Sequence, residues 1–139
     1  MYLSAIFQME GRQITYEEMN SAAEKVAAGL LAVGIAPGSR VAILGPNQAN
    51  WVITKWAVAK AGMHLVTLNP LYTPSELEYA INKVDVTALI CPKEIGPLDY
   101  HATIQQMVPD LTKGTRGNVE RELNHFSVSL RTSPYIHPK

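Results

Sequence analysis

The sequence predicts an α/β fold: a partial doubly wound parallel sheet with a βαβαβ core, followed by an irregular C-terminal tail. Three observations carry that expectation. Apolar runs near residues 40–44, 64–68 and 86–91 are continuous rather than alternating, as in parallel strands covered on both faces. The stretches between them have helical periodicity and open on capping residues. Strands alternating with helices are the pattern of layered α/β domains.

Taken in order, Ala5-Ile6-Phe7-Gln8 and Gln13-Ile14-Thr15 read as short strands flanking a hairpin turn over Met9-Glu10-Gly11-Arg12. Thr15 followed by Glu18 is a capping box, in which two side chains satisfy orphan amides at a helix start. Met19, Ala22, Ala23, Val26, Ala27, Leu30 and Leu31 then form one apolar face, while Glu17, Asn20, Ser21, Glu24 and Lys25 take the other. Gly34 stands where a left-handed C-terminal cap falls. Ala36-Pro37-Gly38-Ser39 turns the chain into the first core strand, and Gly45-Pro46-Asn47 breaks that strand.

Residues 48–61 predict a helix that is apolar on nearly every side, through Trp51, Val52, Ile53, Trp56, Ala57, Val58 and Ala59. Gly62 ends it and the second core strand follows. Asn69-Pro70-Leu71-Tyr72 is a loop. Thr73, Pro74 and Glu76 supply an N-cap, a proline at the first helical position and a capping-box glutamate. Leu77, Ala80, Ile81 and Val84 give the third helix a single apolar stripe. The third core strand stops at Pro92. A weaker helix is expected over 98–108, with Tyr100, Ile104, Met107 and Val108 on one side. From Asp110 to Lys139 the chain is polar and aperiodic, so an unstructured tail is expected. His125 to Leu130 is its one alternating stretch. No internal repeat is visible.

Composition narrows the functional classes. Hydrophobic residues make up 47% and charged residues 17% of the 139, which is the balance of a globular chain of one domain. Twelve basic residues offset twelve acidic ones, so there is no electrostatic footprint for nucleic acid or anionic lipid. The apolar stretch from Trp51 to Val66 is interrupted by Lys55, Lys60 and His64, so no membrane span is expected. The first residues show neither a basic segment before an apolar one nor an Arg-rich amphipathic pattern, so no targeting segment is visible. Cys91 is the single cysteine, which excludes an internal disulfide, and no Cys/His cluster has zinc spacing.

The ordered set of short motifs carries a resemblance. Gly11, Ile14-Thr15-Tyr16-Glu17-Glu18, Val26-Ala27-Ala28-Gly29-Leu30 and Gly34-Ile35 come first. Then come Pro37-Gly38-Ser39-Arg40-Val41-Ala42-Ile43, Pro46-Asn47, Trp51, Ala59-Lys60-Ala61-Gly62 and Leu68-Asn69-Pro70-Leu71-Tyr72-Thr73-Pro74-Ser75-Glu76-Leu77-Glu78-Tyr79. This run resembles the start of the large domain of the AMP-forming acyl-CoA synthetase and luciferase superfamily. Within it, Leu77-Glu78-Tyr79 followed by Lys83-Val84 and Ala88-Leu89-Ile90-Cys91-Pro92-Lys93 looks most like its mitochondrial medium-chain branch, the family-member-2 type. The likeness covers residues 4–93 and fades by Asp110. It implies a partial AMP-binding domain over 1–110 and a divergent tail over 111–139.

The resemblance implies activation of a carboxylic acid by Mg-ATP to an acyl-adenylate, then acyl transfer to coenzyme A. That chemistry uses a Ser/Thr/Gly-rich phosphate loop of the Thr-Ser-Gly-Thr-Thr-Gly type with a proline-lysine ending. It also uses a Tyr-Gly-x-Thr-Glu type segment for magnesium and adenine, an aspartate for the ribose and a late lysine. Leu111-Thr112-Lys113-Gly114-Thr115-Arg116-Gly117-Asn118 is the candidate weighed for the first, and it lacks the glycine core and the ending. No catalytic, cofactor-binding or metal-binding residue is carried over, and an N-terminal fragment inactive by itself is expected. ATP, magnesium and coenzyme A would belong to the parent enzyme. A mitochondrial location is implied by the resemblance alone.

Other candidate sites have plainer readings. Gly29, Gly34 and Gly38 lack the Gly-Lys-Ser/Thr of a phosphate loop and read as a cap and turns. Gly45-Pro46-Asn47 follows a strand where open α/β sheets place ligands, but one glycine is a turn before it is a fingerprint. Asn69 is expected to brace its own loop. His64 is expected to be packed within its strand, and His101, His125 and His137 are too dispersed for a metal site. Cys91 is expected to be inert, and Trp51 and Trp56 to be core or interface anchors. Two rival readings stand beside the synthetase fragment. One is a non-catalytic module that associates with the full-length enzyme through exposed apolar surface, meeting the remainder of the synthetase domain. The other is a free-standing flavodoxin-like ligand-binding domain, which the all-round apolar second helix disfavours.

Overall fold

The computed structural model describes residues 6–9, 11–92, 94–95, 98–99, 104, 106, 111–113 and 126–131. Strands β1 (Ile6–Met9) and β2 (Arg12–Thr15) form the expected antiparallel hairpin, with Gly11 at φ 72 in its turn. Helix α1 spans Tyr16–Ala32, followed by β3 (Arg40–Leu44), α2 (Ala49–Lys60), β4 (His64–Leu68), α3 (Pro74–Lys83) and β5 (Ala88–Pro92). β3 pairs in parallel with β4 on one side and with β5 on the other. The βαβαβ core is therefore as expected, with the third strand beginning two residues later than the apolar run.

The two faces of this sheet are covered separately. Val41, Ala88 and Ile90 pack with Val26 and Leu30 of α1 and with Ile53, Ala57 and Val58 of α2. Ala42, Leu44, Leu68, Leu89 and Cys91 pack with Leu77 and Ile81 of α3 and with Ile104. Residues 41–44 are wholly buried, which explains why their sequence is a continuous apolar run. Glu24, held at 2.9 Å by Asn20 on α1, also ties α1 to α2 through Lys60 at 3.2 Å. Thr54 is the buried polar side chain of the described residues, and its hydroxyl has no hydrogen-bond partner among them.

Local chemistry starts and stops each helix. Glu18 N–H donates to Thr15 Oγ1 at 3.1 Å while Thr15 N–H donates to the Glu18 carboxylate at 2.8 Å. Thr73 and Glu76 repeat the arrangement at α3, at 3.4 and 2.8 Å. All three helices end alike. Ile35 N–H returns to Leu30 C=O, Met63 N–H to Val58 C=O and Val86 N–H to Ile81 C=O, at 3.2, 3.0 and 3.0 Å. In the same turns Gly34, Gly62 and Asp85 donate to the carbonyls of Leu31, Ala59 and Asn82. These are Schellman caps, each with a buried apolar pair clasping the turn. Two use glycine at the left-handed position; the third holds Asp85 at φ 51.

The C-terminal stretch departs from expectation. Instead of an irregular tail, β8 (Leu111–Lys113) and β9 (Phe126–Arg131) join the sheet, whose order is β4-β3-β5-β9-β8. β9 runs antiparallel to β5, with Val128 opposite Ile90 and buried beside it. The alternation from His125 to Leu130 was thus a real strand signal. Its partner is distant in sequence, which local periodicity cannot reveal. The helix expected over 98–108 begins later: Leu98–Asp99 is a short strand, β7, paired with β6 (Glu94–Ile95). Ile104 is helical and fully packed against the second face. Tyr100, Met107, Val108 and residues 114–125 lie outside the described residues.

Asp85→Gly should raise stability by up to about 1 kcal/mol, because a left-handed cap costs a β-carbon that glycine lacks. The exposed Arg40–Asp85 contact at 3.8 Å that it removes contributes little. A urea midpoint comparison checks this. Backbone and then side-chain hydrogen bonds from Thr15 and Thr73 hold the Glu18 and Glu76 carboxyls below their ordinary value. Depressed folded values mean stability that is present above the unfolded value, about 4.3, and lost as pH falls through the folded ones. Urea midpoints measured across the acid range should fall more steeply for the native chain than for Glu18→Gln/Glu76→Gln.

Candidate functional site

In an open parallel sheet, ligands bind outside the carboxyl ends of the strands, where neighbouring connections leave for opposite faces. Here that point lies between β3 and β5. The chain leaves β3 toward α2 on the first face and leaves β5 toward Ile104 on the second. Gly45-Pro46-Asn47-Gln48 follows β3, and Asn69 to Thr73 follows β4 on the same end of the sheet.

Gly45 is buried, with φ 155, a backbone angle at which a β-carbon is strained, so the turn out of β3 requires glycine. Pro46 and Asn47 are exposed beside it. Gln48 caps α2 by backbone alone, with no side-chain bond to the helix start. Across the end of β4, Asn69 Oδ1 accepts from Leu71 N–H at 2.9 Å and Asn69 C=O accepts from Tyr72 N–H at 3.1 Å. Asn69 therefore braces its own turn, as its position in sequence suggested. The same turn holds Leu71 out in solvent, 86% exposed, ahead of the Thr73 capping box.

The chemistry available at this end is limited. Residues 45–48 and 69–76 contain no lysine or arginine, so neither loop can neutralise a phosphate with its own charge. Glu76 is committed to the α3 cap. Among the described residues no three His, Cys, Asp or Glu side chains come together as a metal site would need. His64 proves exposed rather than packed: it opens β4, which lies at the rim of the sheet, and it lies at the amino end, away from these loops. Cys91 is fully buried in the second face. Trp51 and Val52 are half-buried, while Trp56 is 49% exposed on the outer side of α2. Sequence reasoning therefore placed two tryptophans on one helix correctly, but could not say which was covered. His101, His125 and His137 lie outside the described residues.

Of the candidate phosphate loop only residues 111–113 are described, and residues 114–118 lie outside the described residues. Leu111–Lys113 is β8, at the far rim of the sheet and paired with β9. β9 ends at Arg131, one residue past Leu130 opposite Ala88, so its carboxyl end lies at the amino ends of the parallel strands, away from Gly45 and Asn69. Residues 132–139 themselves lie outside the described residues.

Comparison with known proteins decides the family. The AMP-binding enzyme family matches residues 3–132. The chain belongs to that family of adenylate-forming enzymes. The zebrafish (Danio rerio) mitochondrial medium-chain acyl-CoA ligase ACSF2 is 36% identical over 115 residues, 83% of this chain and 19% of that protein. The human (Homo sapiens) ACSF2 is 34% identical over 113 residues, 81% and 18% of the respective chains. Apo MatB from Rhodopseudomonas palustris superimposes with a TM-score of 0.64 at 28% identity, over 84% of this chain and 24% of MatB. The anthranilate CoA ligase AuaEII, in complex with anthranoyl-AMP, gives 0.63 at 27% identity over 72% and 19%. The chain thus spans about a fifth of the length of the ligases it matches. The family match runs through β9, so the C-terminal strand belongs to the AMP-binding region despite the faded resemblance there.

Gly45→Ala should cost this chain about 1 kcal/mol or more, since its φ excludes a comfortable alanine. Equilibrium denaturation would show it. An unchanged midpoint would mean that the turn out of β3 relaxes freely.

Proposed function

We propose that this polypeptide is the N-terminal part of an AMP-forming medium-chain acyl-CoA ligase. The parent would activate fatty acids for lipid metabolism with ATP, magnesium and coenzyme A as substrates, in the mitochondrion. The observation that carries this reading is the family match over nearly the whole chain, joined to ACSF2 relatives of the medium-chain, mitochondrial type. The parent reaction, activity and compartment come from those relatives.

The chain alone is inactive on this reading. Adenylation needs in-line attack of a carboxylate on the α-phosphate, with the developing charge met by magnesium and preorganised donors. No Gly-rich phosphate cradle, no Tyr-Gly-x-Thr-Glu segment and no later lysine motif occurs in the sequence. A second reading draws on the exposed Trp56 and Leu31, 49% and 44% exposed on α2 and α1. Such surface suits a non-catalytic module that meets the remainder of the synthetase domain or the full-length enzyme.

Purified chain, incubated with ATP, magnesium, coenzyme A and octanoate, should release no pyrophosphate above a no-protein blank, while a full-length relative does. Carboxylate-dependent release from material free of host synthetase would overturn the inactive-fragment reading. Asn47 and Asn69 would then be the first residues to test. Association with a full-length relative that is lost in Trp56→Lys would favour the module reading.

A further inference from the structure

The sheet ends on β4, whose outer edge pairs with no described strand. His64 N–H donates to Ser39 C=O at 2.9 Å, so His64, Val66 and Leu68 turn their backbone groups toward β3. Leu65 and Thr67 consequently aim theirs outward, where no described strand lies. Natural sheets blunt such edges with proline, lysine, bulges or very short strands. The run His64-Leu65-Val66-Thr67-Leu68 uses none of these. The opposite rim does: β8 has 3 residues, one of them Lys113.

We propose that this edge is a self-association surface, on which β4 of a second copy pairs antiparallel about a twofold axis at Val66. The edge is complementary to itself in that register and in no parallel one. Leu65 of one copy opposes Thr67 of the other, and each such pair exchanges both N–H···O=C bonds. The four outward groups of each copy are all satisfied, through bonds formed twice by symmetry. Val66 meets its own copy as a non-hydrogen-bonded pair, with Cα atoms about 4.5 Å apart. Leu65 belongs to the packing of the first face and Val66 to that of the second, so pairing continues both apolar layers and buries no charge.

Pairing of five residues per copy buries much less than the about 1,200 Å² of a stable interface. The dimer is therefore weak and concentration-dependent, dissociating in the micromolar range or above. This inference is independent of whether the parent is an acyl-CoA ligase.

Sedimentation of the full chain from about 1 µM to about 1 mM should show a monomer–dimer transition. Thr67→Pro removes an outward N–H that β3 does not use, so it should keep the fold and weaken association at least tenfold. Thr67→Lys, which leaves the backbone intact and puts a charge on the edge, should do the same and serves if the proline variant does not fold. Val66→Cys should cross-link two copies by a disulfide, much faster than Thr67→Cys, because only position 66 faces itself. A native chain that stays monomeric throughout would overturn the proposal. So would association that survives both Thr67 changes, or that is abolished by Trp56→Lys alone, which would assign it to the outer face of α2.

Discussion

The structure depends on the burial of one strand. β3 has parallel neighbours on both sides and helices over both faces, so residues 41–44 have no contact with water. Every backbone polar group of such a strand must find a partner in the sheet, because none is available from solvent. This forces the crossovers. A parallel neighbour cannot be reached by a tight turn, so α2 and α3 must carry the chain back, each lying on a different face. The covering helices then need one apolar stripe each. α3 satisfies that requirement with Leu77 and Ile81, while α2 is apolar beyond it and leaves Trp56 in solvent.

Helix ends do the work of register. Each helix closes on the same pair of backbone bonds, and each closure throws a buried apolar residue, Ile35, Met63 or Val86, back onto the helix it leaves. The turn that follows is short and stiff, so the next strand enters at a fixed height. Gly38 N–H on Gly62 C=O at 2.7 Å and Thr87 N–H on Arg40 C=O at 2.8 Å tie these turns to one another across the amino ends of the strands. That end is cross-braced. The carboxyl end is built from Gly45 and the Asn69 turn, and its loops present polar groups without positive charge.

Several large apolar side chains of the described residues stay in solvent. Leu71, Tyr79, Trp56 and Leu31 are well exposed, one on the turn after β4 and one on each of the three helices. A family whose members are about five times longer has ample chain with which to cover such residues. The described residues therefore form a layered unit whose outer surface is not polar throughout.

Local sequence determined the three helices, their capping boxes, two of the three left-handed caps and all the core strands. In each case the decisive interaction spans only a few residues, such as Thr15 with Glu18 or Thr73 with Glu76. It also determined that Asn69 would hold its own turn, and the motif order marked the family. Tertiary structure decided what depends on distant partners. β9 is a strand because β5 offers a free edge beside Ile90, and an alternating run at 125–130 could not announce that partner. Asp85 takes a left-handed cap because Val86 must return to Ile81, overriding the preference for glycine. His64 is exposed because β4 lies at the rim of the sheet, a fact of strand order that no period in the sequence encodes.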